Sequence, residues 1–168
     1  MSVKLDEKDI SILLLIQENS KLTANQIAKK INTPITTIFA KTKRMEELGI
    51  IKQYRAILSA EKLNLGTAAF ILASVSYAAK NGDRPISQRD VAEEIGRLAE
   101  VQEVHIITGD WDLLVKLRAE SVDAIGKFVV DKLRLIKGLE KTLTCMVFGT
   151  VKESTSLSRI IRKKPVEA

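Results

Sequence analysis

Apolar positions recur at helical spacing over the first third of the chain and at strand-like spacing over much of the rest. Leu5, Asp9, Ile12, Leu13 and Ile16 lie three to four residues apart, Asp6 ahead of them is a good N-cap, and Glu7 and Asp9 suit the positive end of a helix. These positions predict a first helix from Asp6 to about Glu18. Thr23-Ala24-Asn25-Gln26 is a capping box, in which a hydroxyl and an amide satisfy free backbone N–H groups reciprocally, and Ile27, Ala28 and Ile31 supply the inward stripe of a short second helix. After Asn32, Thr33 can cap a third helix with Pro34 at its first position; Ile38, Met45 and Leu48 face inward and Gly49 ends it. Ile50 to Ala56 then reads as a strand, either a wing or a dimerising ribbon.

Ser59 to Gly66 reads as a linker, and beyond it the period changes. Ala68 to Ala78 is a long strand, apolar on both faces except at Ser74 and Ser76; residues 81–85 form a turn, and Ser87 caps a helix with Val91, Ile95 and Leu98 inward. Val101 to Thr108 and Trp111 to Arg118 are two strands joined through Gly109-Asp110. Ser121 starts a helix through Ile125, Phe128, Val129 and Leu133, which Gly138 terminates before a last strand from Leu139 to Val151. The order βαββαβ is that of a ferredoxin-like split unit. The predicted class is therefore α+β: a winged-type helix-turn-helix domain over residues 1–58, a linker over 59–66, a ferredoxin-like domain over 67–151 and a basic tail over 152–168. Two helices cover only one face of such a sheet, so the apolar second face predicts burial by another copy, a homodimer at least.

Two helices joined by so tight a turn leave the second projecting from the surface. Its outward positions are Thr36, Thr37, Phe39, Ala40, Lys41, Lys43 and Arg44, with no acid until Glu46. That is the order of a recognition helix, with base-reading residues near its N-terminus and cations for phosphates further along. Charge agrees: residues 1–65, 66–150 and 151–168 carry net +4, −1 and +3 of the overall +6. Lys29, Lys30, Lys52 and Arg55 are expected to anchor the phosphates of double-stranded DNA, and Thr36, Thr37 and Lys41 to read bases. The bland alternative is a three-helix protein-interaction unit with a solvated basic face.

A composition of 45% hydrophobic and 29% charged residues is that of an ordinary globular protein. No apolar run approaches the roughly 20 residues needed to span a bilayer, and the first residues lack a signal-peptide pattern, so the expectation is a cytoplasmic, nucleoid-associated protein without a membrane partner. With a single Cys145 and a single His105, neither a disulfide framework nor a Cys/His zinc site can be assembled within the chain, and no metal, cofactor or catalytic residue is expected. Cys145 reads as a small core residue. His105 can sense pH or contact a ligand, or serve the strand alone. Trp111 can shape a pocket or fill an interface. The tail can add phosphate contacts or be a disordered solubilising end.

The stretch Leu5-Asp6-x-x-Asp9-x-x-Ile12-Leu13-x-x-Ile16-Gln17, the Ile27-Ala28 helix, and Lys41-x-Lys43-Arg44-Met45-Glu46-x-x-Gly49-Ile50-Ile51 resemble, in order and spacing, the N-terminal half of the Lrp/AsnC (feast/famine) transcription regulators. Pro34 stands where members usually place Ser, and Thr42 where they place an aliphatic residue. Thr108-Gly109-Asp110-Trp111-Asp112 resembles the family's Gly-Asp-x-Asp turn, and Thr142-x-Thr144 its pair of hydroxyls near the effector between dimers. The resemblance implies that the C-terminal half is the family's regulatory (RAM) domain, that dimers assemble into tetramers or octamers, and that an amino-acid effector binds at these seven residues. From the residues alone, the favoured reading of the same turn is a plain Gly-Asp hairpin with a local Asx turn, and of the threonines, strand formers; with the resemblance the two readings stand even. Two other functions share these features. Siroheme decarboxylases have the same architecture and use histidine and basic residues; an architectural protein would wrap DNA without an effector or sequence preference.

Overall fold

The computed structural model describes residues 3–76 and 86–161. The chain forms two compact units, one of residues 1–57 with 152–168 and the other of residues 58–151.

The first unit contains α1 (Glu7–Glu18), α2 (Ala24–Lys30), α3 (Ile35–Glu47) and the short α6 (Ser158–Ile161). The first two helices start as their sequences require. The Asp6 carboxylate accepts the Asp9 N–H at 2.9 Å while the Asp9 carboxylate accepts the Asp6 N–H at 3.0 Å. Thr23 and Gln26 form the second reciprocal box. The third helix begins differently from expectation. Pro34 itself occupies the N-cap without a side-chain bond, and Thr33 is buried with its hydroxyl donating to the Ile31 carbonyl at 3.1 Å. Asn32, with φ +46, makes the tight turn that drives Thr33 inward. Gly49, with φ +68, closes α3, and the Ile50 and Ile51 N–H groups both donate to the Met45 carbonyl. The core is Ile12, Leu13, Ile27, Ala28, Ile38 and Met45. Leu48, expected inward, is 46% exposed at the C-cap of α3.

Residues 50–56, expected as a strand, form none. A strand needs a neighbour for its N–H and C=O groups, and among its described residues this unit of a single chain supplies no second strand. Ile50 and Ile51 pack on the helical core, while residues 52–59 are exposed.

The second unit contains β1 (Thr67–Val75), α4 (Gln88–Gly96), β2 (Val101–Ile106), β3 (Leu113–Ala119), α5 (Val122–Asp131) and β4 (Leu139–Met146). All pairings are antiparallel in the order β2-β3-β1-β4, the ferredoxin-like arrangement. Ala69, Ile71, Ala73 and Val75 alternate onto one face beside Leu113, Val115 and Leu117, and Val91, Ile95, Ile125, Phe128 and Val129 of the two helices cover them. Leu133 joins this core from a 3-10 turn after α5 rather than from the helix itself. Gly138 lies against the helix layer, where an added Cβ would come within 2.5 Å of Ile86 Cγ2. β4 stops before Val151, although the Val147 N–H still donates to the Ala68 carbonyl at 3.0 Å. The turn proposed for residues 81–85 lies outside the described residues, as does most of the loop from Ala79 to Arg89.

Among the described residues, no helix covers the other sheet face. It presents Phe70 and Leu72 of β1 in register with Lys116 and Leu114 of β3 and with Cys145 and Leu143 of β4. Cys145, expected in the core, is exposed for that reason. His105 stands on the same face at the β2 edge, with Nε2 3.1 Å from Glu103 Oε2, and the Lys116 ammonium donates to Glu103 Oε1 at 3.2 Å. The neighbouring imidazole, with the lysine, holds the Glu103 carboxyl below the usual range against a partial loss of hydration.

Candidate nucleic-acid interface and effector cavity

On α3, successive residues turn by about 100°, so Thr36, Ala40 and Lys43 form one stripe with Phe39 beside it. Thr36, Ala40 and Lys43 are exposed, Phe39 is 62% exposed and Thr37 is half-buried. The Lys43 ammonium lies 3.8 Å from Glu47, a solvated pair that holds it loosely. Lys29 and Lys30 stand exposed on the last turn of α2, and Lys52 and Arg55 on the extended segment after α3.

Two cations expected on the outward face point elsewhere. The Lys41 side chain is only 18% exposed and its ammonium is held by the Asp6 carboxylate and by Asp9 Oδ1, the latter at 3.0 Å. Arg44 donates to Asp9 Oδ2 at 3.4 Å and to the Lys4 carbonyl at 3.3 Å, leaving its side chain 48% exposed. Desolvation disfavours the Lys41 ammonium, but its bonds to Asp6 and Asp9 outweigh this and hold its pKa above the ordinary lysine value. The Lys41 hydrogen bond likewise holds Asp6 below the ordinary carboxylate value, with the Asp9 N–H adding to the effect. Nearby, the Tyr54 hydroxyl donates to Glu46 at 2.8 Å, and burial together with that acid pushes its pKa up to about 12. Phe39 joins the exposed face as its outward helical position predicts, whereas no pattern in the sequence marks Tyr54.

Part of the C-terminal segment is held against α1. The Gln17 side-chain oxygen, at the last turn of α1, accepts the Leu157 N–H at 3.1 Å and the hydroxyls of Ser158 at 2.8 Å and Ser156 at 3.4 Å. Residues 156–158 are thus clasped to the helical unit, and α6 with Arg159 follows at once.

In the other unit, the turn between β2 and β3 is closed by the Ile107 N–H donating to the Asp112 carbonyl at 2.9 Å, with Gly109 at φ +115. Thr108, Gly109 and Asp110 are exposed at its tip. Asp112 is built into the sheet. Its Oδ2 accepts the Val75 N–H at 2.8 Å, its backbone N–H donates to the Ala73 carbonyl at 3.0 Å, and Gln88 Nε2 reaches its carbonyl at 3.1 Å and Oδ1 at 3.3 Å. Trp111 lines a cavity of about 530 Å³ together with Arg134, Lys141, Thr142 and Leu143 and the start of β4. Thr144 and the turn tip do not line it. Thr142 and Thr144 are half-buried opposite Ala73 and Ile71, on the helix-covered side of an edge strand. Of the seven effector residues expected, the cavity therefore brings together Trp111 and Thr142, and it adds two cations, Arg134 and Lys141, that pattern reading missed.

The Lrp/AsnC ligand binding domain matches residues 71–157, and a winged helix-turn-helix DNA-binding domain matches residues 5–52. The chain is 42% identical over 149 residues to an uncharacterised helix-turn-helix-type transcriptional regulator of Pyrococcus horikoshii, covering 89% of this chain and 96% of that one. The chain belongs to the Lrp/AsnC family. It is 34% identical over 157 residues to the transcriptional regulator FL11 of the same organism, covering 94% of this chain and 98% of that one. Among solved Lrp/AsnC-like structures, a Neisseria meningitidis transcriptional regulator in complex with L-Met superposes with a TM-score of 0.80 at 29% identity, over 94% of this chain and 99% of that one. AsnC of Escherichia coli shares the fold, with a TM-score of 0.80 at 23% identity over 92% and 99% of the two chains. This Lrp/AsnC chain is thus a helix-turn-helix transcription regulator with a ligand-binding domain, and among its described residues no helix is long and apolar enough to cross a membrane.

Proposed function

We propose that this regulator binds sequence-specific sites on double-stranded DNA as a homo-oligomer, and that an amino acid or related small metabolite in the Trp111 cavity alters how its dimers associate. The observation that carries the reading is the exposed stripe of α3, Thr36, Ala40 and Lys43, free of acids as far as Glu46. Thr36 and Thr37 then face base edges, and Lys29, Lys30, Lys43, Lys52 and Arg55 face phosphates, with Arg44 able to join them from its half-exposed position. The helix-free sheet face, with Phe70 37% and Leu143 47% exposed beside Leu72 and Leu114, supports pairing with a second copy. A dimer presents two α3 helices, so sites are pseudo-palindromic with half-sites about one helical turn apart, roughly 34–36 Å.

The effector reading is supported by the cavity's mixture of Trp111 and Leu143 with the cations Arg134 and Lys141, the carboxylate of Glu140 and Thr142, which suits a small zwitterion, and by the L-Met complex of the Neisseria meningitidis relative. Tetramers or octamers would form through the edge carrying this site, and the effector acts allosterically by binding two assemblies unequally. The work is done on the chromosome, hence in the cytoplasm, and without catalysis. A gel-shift titration on the DNA upstream of the regulator's own gene, with a panel of amino acids, tests the reading. A competitor-resistant shift altered by one amino acid supports it; no preference over random competitor at low or high salt sinks it.

A further inference from the structure

Asp9 is a carboxylate with 1% of its surface exposed in a unit whose core is small. Each of its oxygens is occupied. Oδ2 takes the Asp6 N–H at 3.0 Å and Arg44 at 3.4 Å, and Oδ1 takes the Lys41 ammonium at 3.0 Å. Lys41 also reaches Asp6, so the start of α1 is fastened to two neighbouring turns of α3. A charge so deeply buried is tolerated only while its partners stay in place, and its bonds are directional, so they fix the angle of α3 against α1 more narrowly than the non-directional hydrophobic effect does. Lys41 lies about 100° round the helix from Ala40 and is turned away from the exposed stripe.

We infer that Asp9 and Lys41 are positioning residues that set the pose of α3 on DNA, and that Lys41 makes no DNA contact of its own. This rests on the reading that α3 carries the base-reading face. Losing the link leaves the phosphate contacts nearly intact but lets α3 reorient, so discrimination between sequences suffers while electrostatic affinity does not. A lysine that touched DNA directly would behave in the opposite way, because removing a phosphate contact lowers the salt slope and weakens all sequences alike. Freeing such a lysine from Asp9 would then tighten binding.

The test is a fluorescence-anisotropy titration of the full chain, over a range of salt, against a duplex selected by the wild-type protein from a random pool and against its scrambled counterpart. Lys41→Met and Asp9→Asn are each expected to reduce the preference for the selected duplex about tenfold with an unchanged salt slope, and the double variant to be no worse than either alone, as in a coupled pair. Lys41→Arg restores most of the preference, and Lys43→Ala, by contrast, lowers the slope by about 1. Circular dichroism checks that each variant is folded. Should Asp9→Asn unfold, Asp6→Asn keeps the N-cap and loosens only the outer arm of the link, and a smaller loss of preference at constant slope is expected of it. A lowered slope with equal weakening of both duplexes for Lys41→Met overturns the inference, as does undiminished preference in folded Lys41→Met. A wild-type protein that enriches no sequence overturns the base-reading function of α3 itself, and the inference with it.

Discussion

The two units solve the same problem with different means. Among the described residues, the helical unit buries six apolar side chains in its core and the sheet unit fifteen. The larger core holds α4 and α5 on the sheet chiefly by apolar burial, each fully buried aliphatic residue contributing about 1.5–3 kcal/mol, with Gln88 at the start of α4 adding bonds to Asp112. The smaller one adds the Asp9 carboxylate and its partners, which fix direction better than they add stability. The comparison teaches that the element proposed to meet DNA is oriented by polar bonds, while the sheet proposed to meet a second copy keeps one apolar face open.

The largest expected effect breaks the sheet unit. Leu117→Ala removes a side chain with no exposed surface and should lower unfolding stability by about 2–5 kcal/mol. Trp111, the single tryptophan, belongs to this unit, so its fluorescence in denaturant reads the loss directly. The same substitution at Ile38, in the helical core, should leave the tryptophan transition in place and move the helical circular dichroism. Next, Phe70→Glu places a charge in the middle of the open sheet face, where the strand below it is already covered. The chain should stay folded while its dimer weakens by about 2 kcal/mol or more, roughly thirty-fold in Kd, as read by sedimentation velocity. A dimer unchanged by Phe70→Glu would show that this face is not the interface.

A smaller effect sharpens the polar side of the comparison. Asp6 has a folded pKa below its unfolded value, so its link to Lys41 contributes stability that is complete above the unfolded value and is lost as pH falls through the folded one. Thermal melts of the helical signal should therefore be flat from neutral pH down to about pH 5 and fall below about pH 4, and Asp6→Asn should flatten that acid-side fall. The smallest effect concerns the tail. Gln17→Ala removes the acceptor shared by Ser156, Leu157 and Ser158, at a cost of about 1 kcal/mol to the clasp, and tryptic cleavage at Arg159 should speed up about five-fold with little change in overall stability.

What was legible in the sequence was mostly local. The Asp6–Asp9 and Thr23–Gln26 boxes involve residues three apart, and the periods of β1, β3, α4 and α5 follow from their own side chains. What escaped was long-range. Lys41 meets Asp6 and Asp9 across 35 and 32 residues, so no helical wheel drawn for α3 alone could show that its ammonium is already occupied. Arg134 and Lys141 reach the Trp111 cavity from a 3-10 turn and an edge strand, neither of which carries a motif. Residues 50–56 have strand-like composition, but composition does not supply the neighbouring strand that pairing requires. The tail reads as a solubilising end because a clasp by one glutamine oxygen leaves no periodic trace.

The most direct test of the central claim, that the exposed stripe of α3 reads DNA sequence, is selection of duplexes from a random pool by the wild-type chain and by Thr36→Ala side by side. The account predicts a pseudo-palindromic motif with half-sites about one helical turn apart, changed by the substitution at one symmetric pair of positions and kept elsewhere. The absence of any enriched motif, or the same motif recovered unaltered by Thr36→Ala, would contradict it.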